Sequence, residues 1–532
     1  MFAGFACNVA AENKTVSTYD DLKAAIEQAV EGDVITVNGT VTFTDKIEIK
    51  GMKGLTIKGS TQDVTLDGDN KTQLFKLSGK SEVTFKSLVF TNAYVGAASE
   101  EKGAAIRTDG GTLNIENCEF LNNKIDVAQL ESHDGGAAVY GENVTFSASW
   151  TIFEGNIGYY GGAVYLKNAN STFDNCTFTG NKAGTEECSA TDGRGGAVYV
   201  RTENASTYNT KILNCHFNDN FALHFGGAVY FNTGGGGATT DYENNKLTVQ
   251  GCSFVGNSTM TGEKSGMTGG ALELAVEKAV TADVMACTFA NNVARDNGGA
   301  INISSDAAAG HRVRVNVVNC TVTGNKLTEG GGGNGGGISI RRKPYSGSDL
   351  LTELSFVNCI ISGNKAKGDS ESDFRIEFAD NRYKGIKLLR NCIFGSMDES
   401  GIKLADSGIE QKYVVFGRTG TTEAENLLVD ELEKNSYFRL KRDGYAVTCG
   451  WDDVDAAAEE YGLETDQLGQ PLNKNLIGAV SLIEGDEIST GIESVEVVET
   501  ADDSYYTISG VRVSKPSKRG IYIHKGKKIL IR

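Results

Sequence analysis

Proline occurs three times in 532 residues and histidine five times. So little proline, and no Gly-X-Y period among the 66 glycines, excludes a collagen-like fibre. The histidines (His133, His216, His224, His311 and His524) stand at no zinc-ligand spacing, so they read as solvated loop or rim residues. No apolar run approaches the roughly 20 residues of a membrane-spanning helix. Lys and Arg number 51 against 69 Asp and Glu, and a net charge of −18 argues against nucleic acid as a partner. The glycine-rich EGGGGNGGGIS (329–339) lacks the Lys-Ser/Thr of a phosphate-binding loop, which leaves a corner insertion as its reading.

What the chain does have is repetition. The stretch NIGYYGGAVYLKNANSTFDNCTFTGN (156–181) recurs in variant form along most of the sequence. A Cys-x-Phe phrase aligns Cys118/Phe120, Thr151/Phe153, Cys176/Phe178, Cys215/Phe217, Cys252/Phe254, Cys287/Phe289, Cys320/Val322, Cys359/Ile361 and Cys392/Phe394. Three residues beyond the Phe position stands Asn, from Asn123 to Asn364, and the period varies between 25 and 39 residues. Within a unit the apolar residues alternate (Leu113, Ile115, Cys118, Phe120), which is the period of strands. A coil of about 25 residues with three short strands, each paired in parallel with its copy in the next coil, satisfies the backbone. The expected fold is all-β, a right-handed single-stranded parallel β-helix of roughly twelve or thirteen coils and about 60 Å.

In that fold Cys and Phe point inward and stack. Asn before Cys and Asn after Phe suit left-handed corners and amide-on-amide hydrogen bonds, and Gly-Gly-Ala fits a corner without room for side chains. The stacked cysteines read as small apolar core residues rather than disulfides. The expected organisation is a signal-peptide remnant at 1–11 (MFAGFACNVAA), a capping helix region at 12–32, the β-helix at 33–398 and terminal coils or a cap at 399–483. A basic β-type tail follows at 484–532. Residues 511–532 carry eight Lys/Arg and no acid, so the rest of the chain holds −26.

The phrases Gly-Gly-Ala-(Ile/Leu/Val), at 135, 161, 195, 226, 269 and 298, and Phe-x-x-Asn, at 120, 153, 178, 217, 254 and 289, resemble the repeats of polymorphic membrane proteins, exported β-helical adhesins. Members of that family finish in an outer-membrane barrel, for which this chain shows no room. TDQLGQPLNKNLIGAV (465–480) is similar to the segment closing many surface proteins of the pectate-lyase-like superfamily. Residues 490–532 resemble tails related to type IX secretion sorting domains. The resemblances imply a secreted or outer-surface bacterial protein, handed to secretion machinery through 484–532. Its partner would be a surface glycan or a host or other cell-surface protein, and a monomer is expected.

Related β-helix enzymes cluster carboxylates for Ca²⁺ beside a basic residue on one face. The outward positions between Cys and Phe (Glu119, Ile152, Thr177, His216, Ser253, Thr288, Thr321, Ile360, Ile393) hold no adjacent carboxylate pair, so no catalytic residue is assigned. Asp67 and Asp69, and Asp452, Asp453 and Asp455, are the candidate Ca²⁺ ligands, but turns and caps account for them and no cofactor is expected. After Gly-Gly-Ala, the alternation turns Tyr140, Tyr165, Tyr199 and Tyr230 outward on consecutive coils, with Lys167 and Arg201 beside them. This aromatic ladder is the candidate sugar- or partner-binding face, the alternative being that the rings stack on each other or lie under the loops before and after them. Glu273, Asn302 and Ser339 continue its column. The expected function is a non-catalytic adhesin or glycan-contacting rod, with a polysaccharide lyase or glycoside hydrolase of the same fold as the alternative.

Overall fold

A computed structural model describes residues 12–96, 101–126, 135–185, 192–203, 207–233, 245–260, 266–276, 280–305, 312–328, 335–342, 351–377, 386–398, 410–429, 432–433, 437–472 and 477–481. A second unit, 483–532, is described at 505–507, 512–513, 520–524 and 527–531. The segments read as signal peptide (1–11), and the cysteines at 7 and 188, lie outside the described residues.

Alternating inward and outward residues close the first unit, 1–482, into coils whose described strands pair in parallel from Asn13 to Phe416. One coil runs Val164–Lys167, Asn170–Asp174 and Thr177–Thr179, and each strand lies in register on its counterpart in the next coil. A fourth strand of two residues, Lys182–Ala183, was not legible. Its copies form an eight-stranded sheet from Tyr94–Val95 to Lys326–Leu327. In the third row, thirteen described strands stack, from Thr40–Thr42 to Glu410–Phe416. At about 4.8 Å per strand that is a rod of about 60 Å.

The inward columns stack like on like. Rings of Phe90, Phe120, Phe153, Phe178, Phe217, Phe254 and Phe289 lie 4.5–5.0 Å apart and within 2–9° of parallel. Each such buried ring stabilises the fold by about 1.5–3 kcal/mol, with about 0.5–1.5 kcal/mol more from the stacking. The Cys176 N–H points at Cys215 Sγ at 3.4 Å, and Cys215 repeats this on Cys252. All nine described cysteines are free thiols.

The two asparagine columns divide the roles expected of both. Asn117, Asn175, Asn214, Asn319, Asn358 and Asn391 take the left-handed corner at φ 50–55°. In the second column the left-handed residue is the one before, such as Asn122, Gly180 or Asp219. The column itself is an unbroken amide ladder. From Asn123 to Asn364 each Nδ2 donates to the next Oδ1 at 2.8–3.0 Å. It ends on Asp373 Oδ1 at 2.7 Å. Of the paired glycines, Gly161 is left-handed at φ 61°, and a Cβ on Gly162 would sit 2.1 Å from Gly196 O.

The helix Tyr19–Glu27 covers the first coils with Leu22, Ala25 and Ile26, and Thr18 caps it by accepting from Asp21 N. After Phe416 the chain folds back along the outside of the rod through short helices at Ala424–Leu427, Tyr445–Thr448 and Val454–Glu459. Gln467 accepts from Thr288 Oγ1, Ala479 N donates to Thr321 Oγ1 at 3.0 Å, and Arg390 pairs with Asp453 at 2.9 Å. This cover explains why the outward Ile360 and Ile393 are apolar: they pack with Leu427, Trp451, Val454 and Ile477. The strand Glu410–Phe416 is the last of the described coil strands, whereas Leu440 makes an isolated antiparallel bridge to Leu428. In the second unit, four antiparallel strands run from Tyr505–Thr507 to Lys527–Ile531.

Candidate functional site

Along the first row the outward column reads Lys76, Arg107, Tyr140, Tyr165, Tyr199, Tyr230, Glu273, Asn302, Ser339, Arg375. The four tyrosines do point away from the solenoid interior, and they meet one another. Tyr165 and Tyr199 stack at 4.8 Å and 6°, with Tyr140 edge-on to Tyr165 and Tyr230 tilted on Tyr199. They are not an open aromatic face, because at 0–4% exposure they form a second buried cluster with Tyr159, Tyr160 and Leu223. Burial pushes the Tyr165 phenol up to about 12.

Nor are the neighbouring cations open for an acidic ligand. Lys167 pairs with Glu203 at 2.9 Å and Glu142 at 3.3 Å, and Arg201 with Glu203 at 2.6 Å. Farther along, Glu273 is buried, accepting from Thr268 Oγ1 at 2.7 Å and Asn302 Nδ2 at 2.8 Å. The acidic stretches serve local structure: Asp67 accepts from Asp69 N at 2.9 Å and Asn92 Nδ2 at 3.1 Å, and Asp453 takes Arg390 and Lys412. Among the described residues, no three His, Cys, Asp or Glu side chains converge as a metal site.

Polar groups do converge just before the glycine pairs. There a single-residue ladder runs Gly135, Tyr160, Arg194, Phe225, Thr268, Asn297. It sets the Arg194 guanidinium 5.6 Å from the Tyr160 ring and 5.4 Å from the Phe225 and Tyr230 rings. Asp192 receives Arg194 as a fork, Nε at 2.8 Å and Nη2 at 3.0 Å. The same carboxylate accepts the Tyr160 hydroxyl at 2.7 Å and faces His224 Nδ1 at 3.1 Å. Burial works against its charge, but His224 and Arg194 hold the Asp192 carboxyl well below the ordinary range. Burial likewise opposes the charge of Arg194, and Tyr230 and Asp192 more than offset it. A carboxylate only accepts, so the contact with Asp192 places a proton on His224 Nδ1. The His224 ring lies on Phe225 with centroids 3.7 Å apart.

Sequence reasoning passed over this set. His224 was read as a solvated rim residue, and Asp192 and Arg194 were not singled out. A usable signal was present, since the residue before Gly-Gly reads Tyr160, Arg194, Phe225 on three successive coils. His216, in the third row, meets the Ser253 hydroxyl with Nδ1 at 2.7 Å.

The family model for a right-handed β-helix region matches residues 33–275, and that for the Chlamydia polymorphic membrane protein repeat matches 286–304. The chain is a right-handed parallel β-helix, and its residues 286–304 are similar to a repeat of that type. No curated protein sequence matches it. Similar solved structures include a PL6 family polysaccharide lyase from Pseudopedobacter saltans, at 14% identity over 89% of this chain and 100% of that one, TM-score 0.39. A PL6 alginate lyase in complex with trisaccharide matches at 14% identity over 82% and 92%, TM-score 0.42. A periplasmic alginate epimerase matches at 13% over 76% and 83%, TM-score 0.31. Nothing about this chain's chemistry follows from such distant likenesses.

Proposed function

We propose that the chain is an exported, cell-surface β-helix that holds glycan without cleaving it, and that contact is made around Arg194, Asp192 and His224. The convergence on Asp192 carries this reading. A guanidinium, an imidazole and a phenol from three successive coils are locked by one carboxylate, while Arg194, Asp192 and His224 keep 23–28% of their side-chain surface exposed. Donors and acceptors already fixed in place lose little freedom when sugar hydroxyls replace water. In this reading the buried tyrosines are the bed that keeps Arg194 in position, and Lys167 and Arg201 brace its edge.

A second reading, polysaccharide lyase or glycoside hydrolase, is favoured by one feature of the same set. An imidazole oriented by a carboxylate with its other nitrogen open is the arrangement of a general base. A glycan array on the full chain, run beside an assay for unsaturated ends and new reducing ends, decides between them. Retention that drops in Arg194→Gln and His224→Ala, with no product from the unaltered chain, supports the first. Product that disappears in His224→Ala supports the second, and no retention of any glycan refutes contact at this set.

Export and anchoring belong to the same proposal, supported by the polymorphic-membrane-protein type of repeat and the basic C-terminal stretch. Residues 484–532 are proposed as the segment handled by a type IX-like machinery. A reporter fused to them that stays in the periplasm of a host with that system would refute this.

A further inference from the structure

The left-handed corner between the second and third strands of each coil is an asparagine in six coils, because Asn tolerates that backbone. Trp150 breaks the column. It holds φ 52° and leaves 51% of its surface exposed. A bulky residue in this conformation is strained, and such strain persists where something else requires the side chain. The only other aromatic in this corner column, Tyr413 at φ 55°, has a structural reason. Its ring stacks on Trp451 at 5.8 Å and its hydroxyl donates to Asp452 at 3.1 Å. Trp150 makes no ring or cation contact with another described residue, so among the described residues no such partner accounts for an indole there.

Its surroundings are polar and regular. Asn117 occupies the corner of the coil below and Asn175 that of the coil above, while Ser149 lies in register between Glu116 and Asp174. Asp174 Oδ1 accepts from Asn175 Nδ2 at 2.9 Å, and Asn117 Nδ2 donates to Ser87 Oγ at 3.2 Å. We propose that Trp150 is a stacking platform for one neutral sugar ring, whose hydroxyls meet the Asn117 and Asn175 amides and the Glu116 and Asp174 carboxylates. A lone indole framed by amides and acids suits the apolar face and polar rim of a sugar. A protein partner would call for a wider apolar patch, and the other exposed large apolar residues described, Tyr413 and Phe416, belong to the last coil. This platform shares its ligand class with the reading above but none of its residues, and it lies on a different edge of the coil.

The test uses the full chain in affinity electrophoresis through gels containing laminarin, dextran or mannan. At least one polymer is expected to retard the unaltered chain, and Trp150→Asn to weaken that retardation roughly tenfold or more. The same polymer should shift the emission of Trp150, the exposed one of two tryptophans, Trp451 being 8% exposed. Trp150→Asn should also raise the urea midpoint, since Asn fits the corner. Retardation by none of the three polymers, or equal retardation of the variant, overturns the proposal. So does a lowered midpoint, which would make the indole structural, or loss of self-association in sedimentation with sugar binding intact, which would make it a protein contact. Loss of retention in Arg194→Gln but not in Trp150→Asn defeats this platform and leaves the Asp192 reading standing. The opposite pattern does the reverse.

Discussion

Replacing Asp373 by Asn tests how the amide ladder ends. From Asn123 to Asn364 every amide points its N–H the same way, so the stack presents its positive end to the last acceptor, the Asp373 carboxylate. Asp373 Oδ1 accepts from both Asn364 N and Nδ2 at 2.7 Å, and Ser396 Oγ donates to Oδ2 at 3.0 Å. Burial outweighs these bonds: the side chain is 1% exposed and its carboxyl is pushed from the ordinary 3.8 up to about 6. Keeping the proton over that interval in the folded chain but not in the unfolded one is worth about 3 kcal/mol. The sign follows from the raised value. The contribution is complete below the unfolded-state pKa, is lost as pH rises through about 6, and is absent at neutral pH. Asp373→Asn should therefore match the unaltered chain near pH 4 and exceed it by up to about 3 kcal/mol near pH 7.5, because a neutral amide extends the ladder at every pH. Urea unfolding of both chains at the two pH values reads this directly. Comparing the pair cancels other titrating groups, such as Glu101, which burial opposes but Lys46 and Lys76 hold down at about 2. A gap of the same size at both pH values would refute the reasoning.

Asn220→Leu should lower stability by about 3 kcal/mol or more, because the buried Asn181 amide and Phe178 carbonyl lose their partners; a urea midpoint unchanged from the parent chain would contradict this. The stacked thiols should resist iodoacetamide in the native chain, since burial pushes Cys118 up to about 12, and all should react in urea without reductant. Peptide masses showing any of the eight unlabelled after unfolding would reveal a disulfide. Gly162→Ala should destabilise far more than Gly180→Ala, because the first Cβ would strike Gly196 O at 2.1 Å while the second meets nothing within 4 Å and bears only the left-handed backbone, about 1–2 kcal/mol. Thermal midpoints of the two variants make the comparison.

The inward columns were legible because stacking imposes one environment on every coil, so Cys176 over Cys215 and Phe178 over Phe217 repay the same residue each time. The same alternation correctly turned Tyr165 outward. It could not tell whether the ring meets water, since that depends on neighbours such as Tyr160 and Leu223, which come from other rows and other coils. The Asp192 set was hidden for a related reason. Only Tyr160 and Arg194 lie in the bridged column, while Asp192, two residues before Arg194, and His224, one residue before Phe225, reach them from outside it. Departures from a column carry the remaining information. Ile360 and Ile393, apolar at outward positions that are elsewhere mostly polar, marked the surface that the folded-back C-terminal segment covers. Trp150 departs in the opposite sense, placing a large apolar ring where the column calls for a small amide and where no described part of the chain covers it. In a solenoid the consensus therefore specifies the rod, and an exception without a structural cause is where function is to be sought.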